Sequence, residues 1–191
     1  MDYRFIFYRE HKFNLPNRGE AEAILISNHD KQTKVYIHSK AVADLAILLA
    51  EKLSKTGMKL NHDLIYASGL LHDLAKGKSN HAMVAGRMLR KMGYLSVAKV
   101  VEKHIDIPLS GISQIDEAAV VYLADKLLKT DKIVSLEERY RPGMERYHHN
   151  QEIRQSIKKK LDNAKTIKNQ IEKKIGAKIH FLMKKQQNYC S

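Results

Sequence analysis

Apolar residues recur every three or four positions in segment after segment, and only three prolines, at 16, 108 and 142, interrupt the 191 residues. That period is helical, and with so few breakers long helices are permitted and their ends show. Residues 38–54 place Val42, Leu45, Ala46, Leu49, Ala50 and Leu53 on one face, and Gly57 stops the run. Asn61 opens a second helix through Leu74, with Leu64, Ile65, Ser68, Leu71 and His72 on a contiguous side and Gly77 as its C-terminal cap. A third helix runs from His81 to Lys91, started by Ser79 or Asn80 and ended by Gly93. A fourth spans 95–104, with Val97, Val100, Val101 and His104 sharing a face. Pro108 and Gly111 mark a loop, and Asp116 caps a fifth helix from Glu117 to the neighbourhood of Leu128. Arg141-Pro142-Gly143 reads as a break. Over 150–183, Ile153, Ile157, Leu161, Ala164, Ile167, Ile171 and Ile175 describe one long amphipathic helix. Within 1–34, Tyr3–Tyr8 reads as a short strand and Gly19–Ser27 as a short helix. The expectation is an all-α fold: an N-terminal extension (1–34), a helical domain (35–140), and a basic C-terminal helical segment (141–191) packed on it.

Polar residues intrude on these apolar faces at particular places. Three of the 10 histidines precede an aspartate, as His29-Asp30, His62-Asp63 and His72-Asp73. The first two follow Asn28 and Asn61 at polar junctions, where Asn and Asp serve as caps and turn residues. His72-Asp73 instead follows Leu70 and Leu71 and precedes Leu74, so the pair is expected to be partly buried, and a buried carboxylate needs a partner or a metal. His38 lies one turn before Val42, and Asp125 lies beside the stripe of the fifth helix. Two imidazoles and two carboxylates on separate helices can close around one divalent ion. Nitrogen and oxygen ligands suit Fe, Mn, Zn, Co or Ni, with one or two ions bound. Asp73 and Lys76 are the candidate catalytic residues, Lys76 as a cation for charge developing on phosphoryl oxygens. His81 and His104 are candidates for a second metal or for substrate. Lys76, Lys126 and Arg139 are candidate substrate contacts. His148-His149 lies in a polar stretch and reads as surface.

Composition narrows the setting. No apolar run approaches the ~20 residues of a membrane span, the N-terminus lacks the pattern of a signal peptide, and the single cysteine, Cys190, permits no intramolecular disulfide or thiolate cage. A cytoplasmic protein is expected. The net charge of +13 is uneven: residues 139–191 carry 14 Lys+Arg against 4 Asp+Glu, a net of +10, and residues 1–138 carry 20 against 17, a net of +3. Such a segment can hold a polyanion, but a solvated Lys-rich helix face is the plainer reading. Without interleaved aromatics, nucleic acid is the least supported partner. The long stripe must pack on the domain or on a second copy, so a homodimer through this helix is one expectation.

The set His38, His72-Asp73 and Asp125 resembles the H…HD…D pattern of the HD-domain metal-dependent phosphohydrolases. Leu-Leu-His72-Asp-Leu-Ala-Lys-Gly resembles the family block that often ends His-Asp-Ile-Gly-Lys, and His81 through Ala85-Gly86 is similar to its His-Ala-x-x-Gly helix. The stretch Val121–Tyr140 is similar to the HD domain found alone or fused to a molybdenum-cofactor-type nucleotidyltransferase, and the likeness covers about residues 35–175. With 34 residues before the domain, a fused transferase is not expected here. The resemblance implies an HD-domain helical bundle with a metal site in a cleft, held by His38, His72, Asp73 and Asp125. His81 and His104 would match second-metal positions, although His104-Ile105 stands where some members have His-His. The implied activity is hydrolysis of a phosphoester, with a nucleotide or nucleotide-like small molecule as substrate. The alternative is a non-catalytic metal- or nucleotide-binding regulatory module linked to molybdenum cofactor metabolism.

Overall fold

The computed structural model describes residues 14–107 and 115–182. Helix α1 (Arg18–Ile26) is closed by a capping box, in which the Asn17 side chain accepts from the Glu20 N–H and the Glu20 carboxylate accepts from the Asn17 N–H. Helix α2 (Lys34–Ser54) starts a turn earlier than its apolar stripe, because Thr33 caps it by accepting from the Tyr36 N–H. His38 therefore lies in the second turn, not at the helix start. Helix α3 (His62–Leu71), capped by Asn61, stops three residues short of the expected Leu74. The His72 ring occupies the Gly69 carbonyl, which the Asp73 N–H would use in a continuing helix. Residues 72–80 run in turns, and Gly77 (φ +94°) is a turn residue rather than a helix cap.

Helices α4 (His81–Lys91) and α5 (Leu95–Glu102) meet through a tight turn at Gly93 and an Arg90–Glu102 ion pair. Helix α6 (Glu117–Lys126), capped by Asp116, ends before Leu128 because Leu128 enters a small hairpin. Strand β1 (Leu128–Lys129) pairs antiparallel with β2 (Lys132–Ile133), Leu128 opposite Ile133. Helix α7 (Leu136–Arg146) runs through Pro142, where a break was expected. Pro142 and Glu138, whose carbonyl loses its helical partner, are both exposed, so water can serve that carbonyl. Helix α8 (Gln151–Ile175) closes at Gly176 (φ +68°), short of the expected residue 183. The expected helix at 19–27 is α1; the expected strand at Tyr3–Tyr8 lies outside the described residues.

The fold is all-α with a long C-terminal helix. Helix α3 is buried from Ile65 to Leu71, as a helix apolar all round must be. On one side of the α2–α3 pair, Leu49, Leu123, Ile167 and Ile171 share a core; on the other, Leu70 and Leu74 meet Leu25, Leu89 and Val97. Ala164, Ile167 and Ile171 of α8 are thus buried against their own chain, whereas Ile153 is 37% exposed. Among the described residues no helix is long and apolar enough to cross a membrane.

Candidate metal centre

Helix α2 supplies His38, the end of α3 supplies His72 and Asp73, and α6 supplies Asp125, all buried. Three imidazoles are tied back by backbone carbonyls: His38 Nδ1 to Thr130 (2.7 Å), His72 Nδ1 to Gly69 (2.7 Å) and His104 Nδ1 to Val101 (2.6 Å). A carbonyl only accepts, so each Nδ1 carries the hydrogen and each neutral ring presents an Nε2 lone pair. Those lone pairs face carboxylates. His38 Nε2 lies 3.0 Å from Asp125 Oδ1, and His72 Nε2 lies 3.5 Å from Asp73 Oδ2 and 3.8 Å from Asp125 Oδ1. His81 and His104 approach Asp73 Oδ1 from the other side, at 3.2 and 3.6 Å.

Acceptors facing acceptors require a proton or a cation between them. His72 Nε2 is fully buried with no hydrogen-bond partner. The donors of His38, His72 and Asp73 lie within 4.8 Å of one another, as do those of Asp73, His81 and His104. This all-nitrogen-and-oxygen set, with its oriented rings and an orphaned imidazole nitrogen, fits a divalent transition metal.

Burial pushes the His72 imidazole down to about 4, against the pull of Asp73 and Asp125. Burial likewise lowers His81. For His38, burial opposes the charged form, but the hydrogen bond and charge of Asp125 outweigh it and raise the pKa. Burial also works against the Asp73 carboxylate, yet His104, His72 and Lys76 hold its pKa below the usual range. Asp125 is held well below that range, burial being outweighed by Lys126 and His38.

His38 and Asp73 line an open cleft of about 170 Å³, together with Lys34, Lys76, Lys129 and Arg139. A larger cavity, about 520 Å³ between the hairpin and α8, holds none of the ligand candidates. Lys76 Nζ lies 2.9 Å from Asp73, and Arg139 lies 3.8 Å from Asp125. Lys126 is committed inward, to Asp125 Oδ2 (2.6 Å) and the His104 carbonyl (3.0 Å), and does not line the cleft. His148 and His149 sit in an exposed turn after α7, away from the cluster; off a helix, their rings lie against one another.

Sequence reasoning missed several contributors. Thr130 orients His38 from the hairpin turn, at φ +58°, with no glycine to signal that turn. His29, read as part of a junction, places Nε2 2.9 Å from the Leu74 carbonyl and pins the turn after His72. Lys34 and Lys129 had no distinguishing neighbours in sequence.

A family model described as HD domain matches residues 35–130, half of the chain. An uncharacterized protein of Methanocaldococcus jannaschii is 31% identical over 72 residues, which cover 36% of this chain and 43% of that protein. The match therefore spans less than half the length of that curated relative. No solved structure matches.

Proposed function

The chain belongs to the HD-domain family, a superfamily of metal-dependent phosphohydrolases, and on that premise we propose that it hydrolyses a phosphoester of a nucleotide or nucleotide-like small molecule. The observation that carries the reading is the set of buried lone pairs of His38 and His72 facing Asp73 and Asp125, with His72 Nε2 left unpartnered. In this reading His38, His72, Asp73 and Asp125 hold a divalent transition ion, and His81 and His104 with Asp73 hold a second ion or substrate. Such an ion would polarise a phosphoryl oxygen and lower the pKa of water near it.

The chain's own groups do the rest. The carbonyls of Thr130, Gly69 and Val101 fix the rings so that Nε2, not Nδ1, faces the centre. Burial keeps His72 neutral at physiological pH, as a ligand must be. Lys126 keeps Asp125 ionised. Asp73, open to the cleft, accepts a hydrogen bond from the attacking water and orients it. Lys76 and Arg139, lining the same cleft, offset negative charge on the phosphoryl oxygens.

Elemental analysis of the purified protein tests this, beside His72→Ala and Asp73→Ala variants. The wild type should carry about one or two equivalents of transition metal, both variants should lose it, and hydrolysis of a phosphoester panel should disappear with it while circular dichroism stays helical. A wild type that binds no metal after incubation with Mn, Fe, Co, Ni and Zn would sink the hydrolase reading and leave a non-catalytic binding module.

A further inference from the structure

Beyond Lys76 and Arg139, which Asp73 and Asp125 already partner, the cleft holds two further cations. Lys34, Lys76, Lys129 and Arg139 line a space of about 170 Å³, and the acidic residue among the described lining residues, Asp73, is already paired with Lys76. Lys34 and Lys129 are exposed and make no ion pair among the described residues. Arg139 Nε is buried without a hydrogen-bond partner. Lys34 is also the first residue of α2, where Thr33 already accepts from the Tyr36 N–H. Asp73 beside Lys76 and Asp125 beside Arg139 offset two of the four cations and leave the charges of Lys34 and Lys129 without a partner among the described residues, which favours an anion in the cleft. The four come from four separate elements, the start of α2, the turn after α3, the hairpin and α7, so no local helical periodicity accounts for their meeting.

We propose that this cleft binds a diphosphate group: one phosphoryl beside Asp73, Lys76 and Arg139, and the adjoining one under Lys34 and Lys129. The inference rests on the phosphohydrolase reading above and narrows it to substrates bearing linked phosphates rather than a lone phosphomonoester. Size agrees. A drug-sized ligand fills roughly 300–1,000 Å³, so a cleft of about 170 Å³ holds a compact polyanion while the organic part of the substrate projects into solvent.

Calorimetry with methylenediphosphonate and methylphosphonate, on the full chain stripped of metal and again with Mn²⁺, tests the proposal. The wild type should bind the diphosphonate at least about tenfold more tightly than the monophosphonate, the scale of one added charge-assisted contact. The double variant Lys34→Ala, Lys129→Ala should lose that preference while keeping monophosphonate binding. Both lysines are exposed, so the fold should persist, as a melting curve would verify. Because every metal-ligand candidate is retained, chelation by the diphosphonate affects both proteins alike. Equal affinity for the two ligands, or a preference that survives the double variant, overturns the diphosphate subsite and leaves the phosphohydrolase reading standing. Binding of neither ligand under either condition overturns both.

Discussion

His72 is caught between opposing demands. Its ring is wholly buried, which disfavours charge, yet two carboxylates face it, which favours charge; burial wins, and the pKa falls to about 4 from the ordinary 6.5. A base depressed in this way stays neutral in the native state while the unfolded chain takes up a proton below pH 6.5. The stability it contributes is complete above pH 6.5 and is lost as pH falls toward 4, a loss of order 3 kcal/mol. Asp73 and Asp125, held low in the fold, add a further loss only below about pH 3.8. His38, raised by Asp125, acts in the other sense, its contribution fading only as pH climbs above 6.5 through its folded value. The melting temperature of metal-stripped protein should therefore drop between pH 6.5 and 4.5, and His72→Asn should flatten that slope. A melting temperature that is level or rising as pH is lowered over that range would contradict the assignment. The residue types of this cluster were legible in sequence because a His-Asp pair amid leucines stands out. The Thr130 carbonyl that orients His38 was not, since a backbone acceptor carries no side-chain signature.

Among the elements, α2 and α3 decide whether the site exists at all. They cross at Gly69, where a Cβ would stand 2.9 Å from Ala43 Cα and 3.2 Å from its nitrogen, backbone atoms that cannot swing aside. Gly69→Ala must push the helices apart, and with them His38 from His72. A stability loss of about 1–3 kcal/mol is expected, together with weaker metal binding; urea denaturation and metal titration would show both. Full metal affinity in the Ala variant would mean that the crossing does not set the ligand spacing. Most helix bodies were readable from apolar period and from the Asn61 and Asp116 caps, but the Thr33 cap of α2, α7 and the hairpin were not. Pro142 resembles a stop signal, and whether an exposed helix tolerates it depends on water reaching the Glu138 carbonyl. The hairpin turns through Thr130 without the usual glycine. The end of α3 was misread because Leu74 and Ala75 remain buried in the turns beyond it, so apolarity continues where the helix does not.

Across the whole molecule, core and site are separable. Helix α8 inserts Ala164, Ile167 and Ile171 into the cluster it shares with α2 and α6, away from the metal-ligand candidates. Ile171→Ala should cost about 2–5 kcal/mol yet leave metal stoichiometry intact in the folded fraction; chemical denaturation and elemental analysis would read the two independently. Metal loss from folded Ile171→Ala would instead tie α8 to the site. The excess of basic residues on this helix is largely solvent-facing, Lys158, Lys159, Lys173 and Lys174 all being exposed. By itself the sequence determined the helical class, most helix starts and the identity of the candidate ligands, because period and capping are properties of neighbouring residues. Only the tertiary structure decided that Asp73 faces two groups of histidines, that Lys126 turns inward, and that Lys34 and Lys129 meet at the cleft. Those outcomes depend on how closely α2 and α3 cross and where the hairpin folds back, and contacts between residues some 90 positions apart, such as His38 with Thr130, leave no trace in local spacing.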